Sequence, residues 1–284
     1  MVSFILIVLT TNSVDVLLHI SIRMGKKKWF LFCIIACVLL LNYMTETFPL
    51  NLGRTSVPSD FKVLCYNIHS LDTAFSQKQL GVANNILKEN PDVVFLCEFY
   101  PSKNRKLDSL LRKEYKRYRK SGTRCVFYSR YKIDNITEEF PKWYDRRHSQ
   151  TVKARVFWGR DTLTIIGCHL SSSHHHIREG FTRRKVEADT LYEHIRKEHY
   201  PVIVLGDLND ISGSYTLSKI MKAGLSNAWW EGGCGYGATF HDGWLRLRID
   251  HILYSKERLK LQSIKVIDSD LSDHNALVAA FDIK

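Results

Sequence analysis

The chain has no Cys-x-x-Cys pair and no regular cysteine spacing, although it carries seven cysteines in 284 residues. Their absence excludes the zinc ribbons and disulfide frameworks that such spacings announce. Free thiols are expected, with Cys125 and Cys234 a pair only if the fold joins them. Cys65, Cys97 and Cys168 sit inside apolar runs, where a thiol acts as a small hydrophobe. Internal repeats and low-complexity tracts are also missing, so one compact unit is expected. Acidic residues are in short supply, 29 Asp and Glu against 41 Lys and Arg, which leaves a net charge of +12. Such an excess draws polyanions such as nucleic acid or anionic lipid without choosing between them, and a basic surface kept for solubility accounts for it equally. The length suits one large α/β domain with an N-terminal appendage.

That appendage is where the apolar residues run longest. Gly25-Lys26-Lys27-Lys28 precedes the run Trp29 to Leu41, broken at Asn42 before Tyr43-Met44. A basic cluster ahead of an apolar stretch is the pattern of an export signal or signal anchor. Spanning takes about 20 residues, and Trp29 and Tyr43 as interfacial anchors bring the segment near the lower limit. No small-x-small cleavage site follows, which favours retention as an anchor, with the lysines cytoplasmic and the remainder outside. The expectation is therefore residues 24–50 as a signal anchor or signal peptide, and a catalytic domain that is extracytoplasmic on the membrane or secreted. Residues 1–23, with the apolar run Phe4 to Leu9, form an upstream extension of uncertain start; 51–60 reads as a linker.

From residue 61 to 284 strand-like and helix-like stretches alternate. Lys62–Asn67, Asp92–Glu98, Thr123–Ser129, Thr151–Phe157, Thr162–Leu170, Pro201–Leu205, Arg248–Tyr254, Ile264–Asp268 and Ala276–Phe281 read as strands. Gln77–Lys88, with Leu80, Ala83, Ile86 and Leu87 on one face, Leu107–Tyr118, Arg178–Glu198 and Ser214–Ala223 read as helices. Runs such as Val202-Ile203-Val204-Leu205 are apolar at every position, so both faces of their sheet are expected to be covered.

Several apolar runs end in polar groups: Asn67, Glu98, His169, Asp207 with Asn209, and Asp273 with His274. Taken singly, each is an ordinary strand end or cap. Together they hold what hydrolysis of a phosphate ester requires: a cation site, a group to deprotonate water, and donors to the phosphoryl oxygens. Glu98 suits a hard cation such as Mg²⁺, and Asn67 places a neutral oxygen beside it. Asp207 and Asn209, two residues apart, point to one side of an extended segment. Asp250 is placed to orient His274, and His169 adds a second imidazole.

The series Tyr66-Asn67, Leu96-Cys97-Glu98, Cys168-His169-Leu170, Gly206-Asp207-Leu208-Asn209, Arg248-Ile249-Asp250-His251 and Ser272-Asp273-His274 resembles the endonuclease/exonuclease/phosphatase superfamily over residues 61 to 284. The resemblance implies a four-layer α/β sandwich of two mixed β-sheets flanked by helices. It implies Glu98 as principal Mg²⁺ ligand (Mn²⁺ being the alternative), with Asn67 and Asp273 near the metal. Asp207 becomes the water-activating residue, Asn209 its partner on the phosphate, and Asp250 with His274 the acid–histidine pair. His169 matches the deoxyribonuclease and sphingomyelinase branches, whereas abasic-site endonucleases carry tyrosine there.

The expected activity is hydrolysis of a P–O bond, a phosphodiester above all, by metal-assisted attack of water. Alternatives are an extracytoplasmic nuclease, a sphingomyelinase-like headgroup hydrolase, or a silent member that only binds anions. The expected partners are an anionic phosphoester substrate and a membrane, with no obligate protein partner. Arg183 and Phe240 are candidate substrate contacts, Trp229, Trp230 and Trp244 a candidate aromatic wall, and His174-His175-His176 a loop beside the site. Arg112 to Lys120, with Tyr115 and Tyr118 interleaved, reads either as a phosphate-backbone track or as an ordinary exposed helix.

Overall fold

The structure, a computed structural model, describes residues 26–51, 59–69, 76–138, 150–173 and 177–284. The extension 1–23, most of the linker and the triple histidine lie outside the described residues. The chain divides into two units, Met1–Glu46 and Thr47–Lys284. The first holds all but the last residue of helix α1, Lys26–Thr47, which leaves Phe30, Leu31, Ile34, Ile35 and Val38 exposed. Among the described residues no helix is long and apolar enough to cross a membrane, so the expected spanning anchor is not borne out.

In the second unit, two six-stranded sheets build the core. The first contains β1 (Phe61–Asn67), β2 (Val93–Cys97), β3 (Lys116–Tyr118), β4 (Val126–Ser129), β13 (Leu259–Ile267) and β14 (Ala276–Ile283), in the order β13-β14-β1-β2-β4-β3. The second contains β5 (Ile133–Glu138), β6 (Gln150–Trp158), β7 (Asp161–His169), β8 (Val202–Asp207), β9 (Ser226–Asn227) and β12 (Asp250–Tyr254), in the order β5-β6-β7-β8-β12-β9. In each, one parallel pair, β1–β2 or β7–β8, sits among antiparallel neighbours, which makes both sheets mixed. A short ribbon, β10 (Phe240–Asp242) with β11 (Leu245–Leu247), stands apart.

Alternation along the strands sorts the apolar residues into layers. Val63, Cys65, Phe95 and Phe127 of the first sheet meet Ala154, Ile165, Ile203 and Leu205 of the second in one cluster. Phe95 is wholly buried there, worth about 3 kcal/mol of transfer energy. Leu64, Val94 and Tyr128 point the other way, onto Val82, Ala83 and Ile86 of α2 (Ser76–Glu89) and Leu107 and Leu111 of α3 (Arg105–Leu111). On the far side Ile166, Cys168 and Val204 meet Ala188 and Leu191 of α4 (Ile177–Ile195) and Leu217 and Ile220 of α5 (Tyr215–Met221). Helix, sheet, sheet, helix is the four-layer sandwich expected.

Departures have local causes. The stripe of α2 is rotated from the expected one: Leu80 and Leu87 are only half-buried, while Gln79 is buried. Its amide donates to Lys103 O (2.9 Å) and accepts from Leu107 N (3.1 Å), tying α2 to the start of α3. The expected helix 107–118 stops at Leu111, because Lys116–Tyr118 pairs with β4 as an edge strand. Cys125 is buried and Cys234 is exposed, and the two are not joined in a disulfide. Residues 48–51 belong to the second unit: Phe48 stacks on Tyr236 at 5.3 Å, and Asn51 donates to Gly233 O at 2.9 Å.

Candidate active site

Strand register delivers the site. His169 lies opposite Asp207 across the parallel pair β7–β8, and Asp207 lies opposite Asp250 across β8–β12. Gln150 of β6 continues the same row beyond His169. Asn67 ends β1 beside Cys97, the residue before Glu98. Gly206 makes the turn into Asp207 possible: its φ is +125°, and a Cβ there would lie 2.2 Å from Cys168 O. Of five non-glycine residues with positive φ among those described, His69, Glu98 and Asn209 all border this pocket. Strained backbone gathers where the surroundings over-determine it, often at functional sites.

Asp207 is at the centre and almost fully buried. Its Oδ1 accepts from Asn209 N (2.8 Å) and its Oδ2 from Asn67 Nδ2 (3.1 Å), while His169 Nε2 and His274 Nε2 each lie 3.8 Å from Oδ2. Burial, then the nearby Asp250 carboxylate, raises its pKa above the ordinary carboxylate value. His274 Nδ1 is 2.8 Å from Asp250 Oδ2. Burial works against its charge, but the Asp250 and Asp207 carboxylates outweigh that and push its pKa up to about 10, so it is a cation at neutral pH. Asp250 is itself fixed by its N–H donating to Thr239 Oγ1 at 3.0 Å. Phe240 lies edge-on to the His274 ring, centroids 5.1 Å apart, where the ribbon bridges to His274.

The mouth is acidic. Glu98, partly exposed, has Oε1 3.3 Å from Asn67 Nδ2 and 3.6 Å from His169 Nε2. His169 Nδ1 is buried without a partner among the described residues, as is Asp250 Oδ1. Asp273 faces His69, whose Nδ1 is 2.8 Å from its Oδ2. Burial opposes ionisation of Asp273, yet the His69 hydrogen bond and the His274 charge keep its pKa below the usual value. The same hydrogen bond raises the pKa of His69.

Expected residues therefore converge: Asn67, Glu98, His169, Asp207, Asp250 and His274 share one pocket, with Asn209, Asp273 and Phe240 on its wall. Two placements qualify the expected roles. Asn67 turns its amide nitrogen to the carboxylates, and its Oδ1 accepts from His69 N at 3.0 Å. Arg183 pairs with Glu179 one turn earlier at 2.5 Å and makes no described contact with the pocket residues. Asn209 Nδ2 donates to Leu170 O at 2.9 Å, which ties the loops after β7 and β8 together. Beneath them Arg184 is buried, donating to Ser171 O and Ser173 Oγ at 2.7 Å each, and Glu187 accepts from Ser171 N at 3.0 Å. Sequence reading missed His69, whose only signal was its place two residues after Asn67.

As a donor set, Glu98, Asp207 and Asp273 offer the hard oxygens that Mg²⁺ or Mn²⁺ takes. Asp207, Asp250 and His274 also lie within 4.8 Å of one another. That trio is the poorer cation site, since His274 Nδ1 is already engaged by Asp250 Oδ2 at 2.8 Å.

Two mixed sheets with acids, an amide and imidazoles gathered at one row of strand ends define a phosphoesterase-like protein. The model of the Endonuclease/Exonuclease/phosphatase family matches residues 64–274, and the chain belongs to that family. Its members hydrolyse phosphoric ester bonds, and the chain is a hydrolase of that class. An endonuclease/exonuclease/phosphatase from Bacteroides vulgatus matches with a TM-score of 0.67 and 18% identity, covering 80% of this chain and 100% of that one. Humanized D. rerio TDP2 matches with 0.66 and 20%, covering 78% and 98%. D. rerio TDP2 complexed with single strand DNA product gives 0.64 and 18%, covering 78% and 98%. At these identities the likeness shows the fold. No curated protein sequence matches the chain.

Proposed function

We propose that the chain is a divalent-metal-dependent phosphoesterase that hydrolyses a P–O bond, a phosphodiester above all, by in-line attack of water. The observation that carries this reading is Asp207, buried between His169, Asn67 and the Asp250–His274 pair. A carboxylate whose basicity is raised by burial is suited to take a proton from water at neutral pH. Asn209 N, donating to Oδ1, aims the opposite oxygen into the pocket. His274, held cationic by Asp250, donates to a phosphoryl oxygen as negative charge grows there. His169 supports a second oxygen. Glu98, with Asp273 on the pocket wall and Asn67 Nδ2 steadying the Glu98 carboxylate, would hold Mg²⁺ or Mn²⁺, which supplies charge neutralisation to the phosphoryl group.

A structural neighbour holding a DNA strand favours a nucleic-acid diester over a phospholipid headgroup, and the net charge of +12 suits any such polyanion. The Lys26-Lys27-Lys28 cluster ahead of an apolar run, the pattern of an export signal, is what supports an extracytoplasmic site of action. The test is release of p-nitrophenol from bis-p-nitrophenyl phosphate by the full chain, with Mg²⁺, Mn²⁺ or EDTA. Metal-dependent release is expected; none with either metal would leave an anion-binding module. Nicking of supercoiled plasmid against release of phosphocholine from sphingomyelin then separates the substrates.

A further inference from the structure

The positive charge of this chain is concentrated in one stretch. Between Lys103 and Lys132 stand twelve Lys or Arg residues against Asp108 and Glu114, a net +10 of the whole chain's +12. The fold spreads this stretch over α3, the loop after it and β3, the edge strand of the first sheet. Two open grooves lie there, one lined by residues 112–117 and the other by Arg105, Asp108, Ser109, Arg112 and Lys113, so that Arg112 and Lys113 line both. The acids are outnumbered: Asp108 pairs with Arg117 at 2.6 Å, leaving Arg105, Lys113, Lys116 and Lys120 exposed to solvent.

Register gives the surface a direction. Tyr118 lies opposite Phe127 and Val126 opposite Leu96, two residues before Glu98, so the Tyr118 end of β3 is the end toward the site. From there Arg124 reaches back to Tyr100 OH at 2.7 Å, in the loop that follows Glu98. The β3 edge, Lys116 to Tyr118, covers about 10 Å, with exposed Lys120 two residues beyond it.

We infer that α3 and the β3 edge form a docking surface for a single-stranded nucleic-acid chain, which it holds by its phosphates while one diester sits among Asp207, Glu98 and His274. Among the described residues no large apolar side chain is exposed between Leu50 and Phe157, so the surface has nothing to insert into a bilayer. Tyr115, Tyr118 and Tyr100 lie under Arg130, Lys116 and Lys103 respectively, cation centres 5.1–5.7 Å from the ring centroids, and brace those side chains. The direction of the bound strand rests on the phosphodiesterase reading; the binding itself does not.

The experiment is fluorescence anisotropy of a labelled oligothymidylate with the full chain in EDTA, over a series of salt concentrations. Replacing Arg112, Lys113 and Lys116 together by Gln (R112Q, K113Q, K116Q) is expected to weaken binding about tenfold or more and to flatten the salt slope by about 2. Removing equal charge elsewhere (K222Q, K260Q, K284Q) is expected to change affinity less than about twofold. Both variants should keep the thermal melt of the unmodified chain, since every substituted residue is exposed. Equal losses in the two variants, or none in the first, would overturn the proposal. So would a first variant that binds oligothymidylate normally but loses vesicles of phosphatidylserine and phosphatidylcholine, which would make the surface a lipid contact. Hydrolysis of bis-p-nitrophenyl phosphate by the unmodified chain tests the phosphodiesterase reading separately.

Discussion

His274 and Asp250 come from different parts of the fold, yet Nδ1 of one lies 2.8 Å from Oδ2 of the other and both are buried. Asp250 fixes which imidazole nitrogen faces the pocket and sustains the positive charge on it. Asp250→Asn should leave the ring in place but remove that charge. We expect turnover of bis-p-nitrophenyl phosphate to fall by about 10²- to 10⁴-fold with little change in KM. A loss confined to KM would show that His274 only binds.

Glu98 offers a partly exposed carboxylate at the mouth, 3.6 Å from His169 Nε2. Glu98→Gln is expected to cut Mg²⁺-supported turnover on the order of 100-fold while leaving the melt within a few degrees. In the unmodified chain EDTA should abolish hydrolysis, and Mg²⁺ or Mn²⁺ should restore it. Calorimetric titration of Mg²⁺ into each protein provides a readout apart from activity.

His251 predicts an acid limb of stability. Burial, then the Arg248 charge, lowers its pKa to about 4; its Nε2 lies 2.9 Å from Asp210 O and its Nδ1 3.5 Å from Asn227 Nδ2, the pairing of a neutral ring with its proton on Nε2. Below the unfolded value of about 6.5 the unfolded chain takes up a proton that the folded one refuses, so stability is full above 6.5 and falls toward pH 4. The loss from this one group approaches about 3 kcal/mol. Denaturant unfolding at pH 7 and pH 4.5 measures it, and His251→Gln should show a flatter dependence.

Arg184 holds the loops on either side of His169 and Asp207 in place. Besides its bonds to Ser171 and Ser173, its Nε lies 3.4 Å from Asp210 Oδ2. Arg184→Met would strand Asp210 without its buried cation, leave Ser171 O and Ser173 Oγ without their donor, and should cost about 3 kcal/mol. Turnover should fall with it, and Arg184→Lys should recover part of both. An unchanged melt would contradict this account.

Much of this was legible in the chain. Apolar runs at Val63–Tyr66, Val93–Cys97 and Val202–Leu205 read as buried strands because both of their faces are covered. The polar residues closing those runs marked the site, because a parallel pair such as β7–β8 brings its C-terminal ends to one edge. What stayed hidden depends on tertiary pairing. Lys116–Tyr118 carries no strand pattern of its own and becomes one only against β4. Arg183 and Arg184 are neighbours of identical type; helical phase alone turns one to Glu179 and the other inward. His69 joins Asp273 through a left-handed backbone that composition does not announce.

Because His169, Asp207 and Asp250 occupy one transverse row of three hydrogen-bonded strands, their spacing is set by the pleat and not by loop length. Adding or deleting a single residue within β7, β8 or β12 would swing a reactive group to the opposite face. Connections at the far ends of those strands can lengthen or shorten without moving it. Variation in such a protein is therefore free to gather in its connections, which can acquire new specificities while the reacting row stays where it is.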